Sequence, residues 1–129
     1  IDACLVGSEM CIRDSPFTEI DCAEIYVPFS WYEPMWLENL GFCDLGEGWK
    51  LTDKDATVID GEMPLNMSGG VLSSNPIGAS GMIRFGEAAL QVMGLAEDHQ
   101  VEGAKVSMGH AYGGAAQFFA MWIVSSSLD

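Results

Sequence analysis

Asn66-Met-Ser-Gly-Gly-Val-Leu-Ser-Ser-Asn-Pro-Ile-Gly-Ala-Ser-Gly81 is the stretch on which the reading of this chain turns. Its glycines and its proline make a poor helix or strand and a good backbone-lined loop. Met82, Phe85, Ala89, Leu90 and Met93 follow at helical spacing, the pattern of an amphipathic helix. The loop therefore runs into a helix N-terminus, where free N–H groups and the dipole favour an anion or a carbonyl oxygen that gains negative charge. Gly78 and Gly81 equally suit tight packing.

Working outward, Cys22 to Val27 has the apolar weight and length of a buried strand. Ser30-x-x-Glu33 reads as a capping box, Pro34 falls in a first turn where it is tolerated, and Gly41 follows Leu40 as a stop. These signals predict a short helix from Trp31 to Leu40 with Tyr32, Met35, Trp36 and Leu40 inward. Phe42 to Gly61 reads as a long loop, and Gly94 closes the helix that ends at Met93. Ala104 to Met108 and Ala116 to Ser125 are the remaining strands. The last is apolar almost throughout, as for a strand covered on both faces. Strand, helix, loop, helix, strand, strand predicts an α/β layer.

At 129 residues the chain allows one domain with a real core. Nineteen acids against five bases give a net charge of −14, a surface that repels nucleic acid and anionic membranes, so neither is an expected partner. Eight acids lie between Glu33 and Glu62, most simply as a solvated face. Lys50, Lys54 and Arg84 are the candidate cations for any anionic ligand. No apolar run is long enough to span a bilayer. Cys22 and Cys43 sit in no motif and read as inert thiols of a reducing cytoplasm. His99 and His110 are far apart, and no metal-ligand spacing is visible.

Asn66-x-Ser-Gly-Gly followed by Asn75-Pro-Ile-Gly-Ala-Ser-Gly81 resembles the thiolase signature N-x-x-G-G-x-x-x-x-G-H-P-x-G-A-[ST]-G. Gly109-His-Ala-Tyr-Gly-Gly114 is similar to that family's last active-site loop, C-x-G-G in most members and H-N-x-G in the sterol-carrier-protein-like and archaeal branches. Ala23-Glu-Ile-Tyr-Val-Pro-Phe-Ser30 stands where the family carries N-E-A-F or H-D-C-F. Order and spacing agree from about Cys22 to Val124. The resemblance implies the C-terminal half of the thiolase fold, a mixed sheet with helices packed on it, in a protein that dimerises.

It also implies chemistry: an acyltransferase that makes or cleaves a carbon–carbon bond next to a coenzyme A thioester, with that thioester as substrate and no bound cofactor or metal. His110 takes the place of the second catalytic cysteine, with a near-neutral pKa suited to acid/base work. The backbone N–H groups of Tyr112 and Gly113, with Gly78 in the glycine loop, border an oxyanion, and Ser68 and Gly69 contact substrate. Asn75 replaces the usual histidine; it can donate to an oxyanion but cannot take a proton from a cysteine, and it can also simply start the turn before Pro76. Tyr26 is either a donor or acid, as in the steroid side-chain aldolases that share the fold, or a packed strand-end aromatic. A retro-aldolase using Tyr26 and His110 is thus one alternative, and a noncatalytic acyl-CoA-binding scaffold is another. Homodimerisation and a zinc-ribbon OB-fold partner are the expected associations. The family's nucleophilic cysteine lies in its N-terminal half, so this chain alone is expected to be inactive.

Leu5-Val-Gly-Ser-Glu-Met-Cys-Ile-Arg-Asp14 matches the translated tail of a common sequencing adapter. Ile1 to Ser15 is accordingly read as a library scar, and residues 16–129 as the domain.

Overall fold

The computed structural model describes residues 19–115 and 117–127. The stretch Ile1 to Ser15 and the expected strand start at Ala116 lie outside the described residues. One mixed sheet has the order β1 (Cys22–Glu24), β2 (Val106–Gly113), β3 (Phe118–Ser125). β1 runs parallel to β2 with Ala23 opposite Met108, and β2 and β3 form an antiparallel hairpin with His110 opposite Met121. Between β1 and β2 come α1 (Tyr32–Asn39), α2 (Gly48–Asp53), α3 (Gly70–Ser73) and α4 (Ser80–Met93), the helical crossover that a parallel pair requires.

Strand alternation divides the sheet into two faces. Ala23, Ile25 and Met108 join Trp36 and Leu37 of α1, and Leu40 just after it, in the main apolar core, with Met121 and Ile123 at its margin. On the opposite face Cys22, Glu24, Ser107, Gly109 and Ala111 lie towards α4, with Cys22 Sγ 3.4 Å from Ser107 Oγ. Gly81 of α4 lies so close to β2 that a Cβ there would stand 3.0 Å from the Ala111 Cβ, which makes it a packing glycine.

Several local expectations are corrected. β1 ends at Glu24 rather than Val27 because the next two N–H groups leave the ladder: Ile25 donates to Asn66 Oδ1 at 2.8 Å and Tyr26 to His110 Nδ1 at 3.4 Å. Ser30-x-x-Glu33 forms no capping box; α1 starts after Trp31 without a side-chain cap. The Glu33 carboxylate instead accepts from Thr52 and Thr57 hydroxyls at 2.9 and 3.1 Å, while Glu38 accepts from Gly48 N–H at 3.0 Å. Those donors dock α2, inside the segment expected to be a loop, against α1. Gly41, at φ 83°, ends α1 as expected, and Gly94, at φ 69°, ends α4.

The apolar stripe of α4 is present but points outward. Ser80, Arg84, Ala88 and Gln91 are buried, while Met82, Phe85 and Met93 are exposed. The sheet face below offers a carboxylate and small residues, so it takes the polar side of the helix. β3 is likewise an edge strand with Phe118 and Phe119 exposed, not one covered on both faces.

Candidate active site

Tyr26, just past the end of β1, ties the three motif stretches together. Its N–H donates to His110 Nδ1 at 3.4 Å, and its phenol donates to Asn75 Oδ1 at 3.2 Å. The Trp36 indole N–H donates to the Tyr26 carbonyl at 3.1 Å, which fixes the backbone between those two contacts. The Tyr26 ring meets that of Tyr112 edge-on at 4.8 Å between centroids. Tyr26, Asn75, His110 and Tyr112 thus converge at the C-terminal end of β1, although they lie far apart in the chain.

His110 is on β2, not in a loop: the Gly109–Gly114 stretch is strand and hairpin turn, because β3 pairs with it as far as Gly113. The imidazole is 1 % exposed, edge-on to Trp36 at 4.6 Å and stacked near Phe119 at 6.3 Å. Burial among these rings lowers its pKa from 6.5 to about 4, so the near-neutral value expected for it does not hold. At pH 7 it is neutral. Because Nδ1 accepts from Tyr26, the ring proton sits on Nε2, which makes the group a hydrogen-bond donor rather than a charged acid. Tyr112 is held by the Tyr26 and Tyr32 rings, and burial raises its phenol pKa.

Asn75 lies in a sharp bend ahead of α4. Its Oδ1 accepts from Tyr26 Oη, from Ile77 N–H at 3.2 Å and from Ser80 Oγ at 2.7 Å. A main-chain N–H can only donate, so the Ile77 contact fixes which end of the amide is the oxygen. A Cβ at either Gly78 or Gly113 would meet nothing within 4 Å, so both backbones are open to approach.

Ser68 and Gly69 belong to a different cluster. The Ser68 N–H and hydroxyl donate to Glu24 Oε1 and Oε2 at 3.1 and 2.9 Å, and Arg84 Nη1 reaches Glu24 Oε2 at 2.6 Å and Ser68 Oγ at 3.0 Å. Glu24 and Arg84 are both buried, and Arg84 Nε has no hydrogen-bond partner among the described residues. Burial pushes the Glu24 carboxyl upward, opposed by Arg84 and the two Ser68 donors. Gly69, at φ 86°, makes the turn that brings Ser68 there. A glutamate inside an otherwise apolar strand was the available signal for this cluster.

The candidate cations are all paired: Arg84 with Glu24, Lys50 with Glu47 and Lys54 with Glu62. Cys22 is buried and its thiol is pushed up to about 11, while burial also raises Cys43. Neither thiol ionises readily at neutral pH. Among the described residues no group of three or more His, Cys, Asp or Glu side chains is placed to hold a metal ion, and no helix is long and apolar enough to cross a membrane.

Comparison with known proteins agrees with this architecture. The acetyl-CoA acetyltransferase of Methanothermobacter thermautotrophicus is 35 % identical over 128 residues, 97 % of this chain and 33 % of that protein. Human sterol carrier protein 2 is 37 % identical over 110 residues, 83 % of this chain and 20 % of that protein. The chain therefore spans about a third or less of the length of these relatives. Among solved structures, an Ltp2-ChsH2(DUF35) aldolase superposes with a TM-score of 0.75 at 23 % identity, covering 96 % of this chain and 32 % of that one, a likeness of fold. The family model described as thiolase C-terminal domain-like matches residues 3–126, and this chain belongs to that family.

Proposed function

We propose that this chain forms the C-terminal part of a thiolase-like acyltransferase, which makes or cleaves a carbon–carbon bond beside a coenzyme A thioester. The observation that carries the reading is the Tyr26 bridge, through which Asn75 and His110 come to one place. Forming a carbanion next to a thioester, or attacking its carbonyl, places negative charge on the thioester oxygen. The neutral His110 Nε2–H, which is buried, and the Asn75 amide, in an exposed bend held by three hydrogen bonds, are donors for that charge. Open backbone at Gly78 and Gly113 leaves room for the thioester, with the Tyr112 N–H, on the edge of β2 away from β3, as a further donor; the Gly113 N–H is turned towards β3. The nucleophilic cysteine of acyl transfer comes from the upstream portion of the protein, since Cys22 and Cys43 are poor thiolates. Cations for the coenzyme A phosphates also come from elsewhere, because Lys50, Lys54 and Arg84 are paired. A cytoplasmic homodimer, with or without a zinc-ribbon OB-fold partner, accompanies this reading.

A second reading, retro-aldol cleavage of an acyl-CoA without an acyl-cysteine, is favoured by the Tyr26 phenol at Asn75, a residue unable to serve as a base for cysteine. The full-length protein distinguishes them. Acetyl-CoA formed from acetoacetyl-CoA plus coenzyme A, and abolished by iodoacetamide, is the outcome expected for the acyltransferase. Cleavage of a 3-hydroxyacyl-CoA that survives iodoacetamide would replace it with the aldolase. Turnover of neither substrate would overturn both.

A further inference from the structure

The Asn75 side chain is held more firmly than a turn requires. An asparagine that only starts a bend uses one contact, its Oδ1 to the N–H two residues on, and Asn75 makes that contact with Ile77. Two more donors converge on the same oxygen: the Tyr26 phenol, 49 residues away, and the Ser80 hydroxyl at 2.7 Å. Ser80 is 1 % exposed and is the first residue of α4, whose N-cap is Ala79, a residue with no side chain to cap with; the Ser80 hydroxyl is used on Asn75. The bend itself is strained. Ile77, β-branched and 78 % exposed, is held at φ 47°, in the left-handed region, with no burial to offset the strain.

We propose that Ser80 is a positioning residue: with the Tyr26 phenol it holds the Asn75 oxygen in this strained bend, leaving Nδ2 as the part of the side chain available to a ligand. Three donors saturate an oxygen with two lone pairs, so Asn75 offers no acceptor and no base. No described residue is hydrogen-bonded to Nδ2. The ligand atom recognised there is a hydrogen-bond acceptor such as a carbonyl or thioester oxygen; a ligand presenting N–H or O–H at that point meets no partner. Ser80 itself is too buried to touch substrate and acts through the amide. The inference rests on the function proposed above.

The test uses full-length protein labelled with 15N-asparagine, with acetoacetyl-CoA thiolysis, thermal melting and the Asn75 side-chain amide resonance as readouts. Asn75→Asp keeps an acceptor for all three donors and removes the NH2. It should leave the melting temperature near the parent's, lower kcat by about a hundredfold or more and identify the Asn75 resonance by its loss. Ser80→Ala should shift that resonance and lower kcat about tenfold with little change in KM, and Ser80→Thr, which keeps the hydroxyl, should restore both. Full turnover by Asn75→Asp would overturn this inference and the role of Asn75 in the proposed function together. An inactive Asn75→Asp beside a Ser80→Ala with unchanged kcat and resonance would overturn this inference alone. Where the parent does not turn over acetoacetyl-CoA, the resonance decides: movement in Ser80→Ala supports the positioning role, and its absence overturns it.

Discussion

On the face covered by α4 the sheet buries a carboxylate, a guanidinium and a serine hydroxyl, with glycine and alanine filling the space between strand and helix. On the face covered by α1 it buries aliphatic side chains, an indole and an imidazole with no charged partner. The same desolvation acts on both and disfavours the charged form in each, pushing Glu24 up and His110 down. The responses differ because Glu24 has Arg84 at 2.6 Å and His110 has only neutral neighbours. One face therefore keeps a balanced ion pair that can lock elements together, and the other keeps a neutral donor.

The strongest way to break this contrast is to unbalance the ion pair. In full-length protein Glu24→Ala or Arg84→Ala alone should cost about 3–5 kcal/mol in denaturant unfolding, because each leaves a buried charge uncompensated. Glu24→Leu with Arg84→Met should recover most of that loss. A double variant no more stable than the singles would mean the pair is not balanced internally.

The imidazole face should respond to pH instead. A histidine whose folded pKa is lowered contributes stability that is present above its unfolded value near 6.5 and lost as pH falls towards 4. The size of that loss follows from the shift to about 4, roughly 3 kcal/mol. His110→Phe should flatten stability over that window while costing about 1 kcal/mol at pH 7 for the lost Tyr26 N–H acceptor. Unfolding curves from pH 7 to 4 that are parallel for parent and variant would contradict the burial of a neutral ring.

Two glycines of one strand give the smallest test. At Gly109 a Cβ would fall 1.9 Å from the Trp122 indole nitrogen, so Gly109→Ala should cost about 1–3 kcal/mol through overpacking. At Gly113 nothing is in the way, and Gly113→Ala should stay within about 0.5 kcal/mol. Equal losses by thermal melting would refute the difference in space.

The motifs picked out residues that share a neighbourhood, because the family's loops are defined by local residue types, and Tyr26 contacts both Asn75 and His110. What periodicity could not give was orientation. The α4 stripe of Met82, Phe85 and Met93 has the right spacing for a core, but the direction it faces depends on what the sheet offers, and Glu24 with the small residues of β2 chose the other side. α2 escaped notice because aspartates and glycines surround it and its anchors, Glu33 and Glu38, lie on another helix. The capping-box spacing at Ser30 was present, but two distant hydroxyls took Glu33. The His110 pKa depends on the rings of Trp36 and Phe119, which no local pattern places beside it.

The most direct test of the account is the rate of acetoacetyl-CoA cleavage by full-length His110→Phe at pH 7, beside its melting temperature. A neutral Nε2–H that stabilises a thioester oxyanion predicts a loss of about a hundredfold or more with the fold retained. Cleavage at the parental rate would contradict it, and would leave His110 as a core residue with no part in the chemistry.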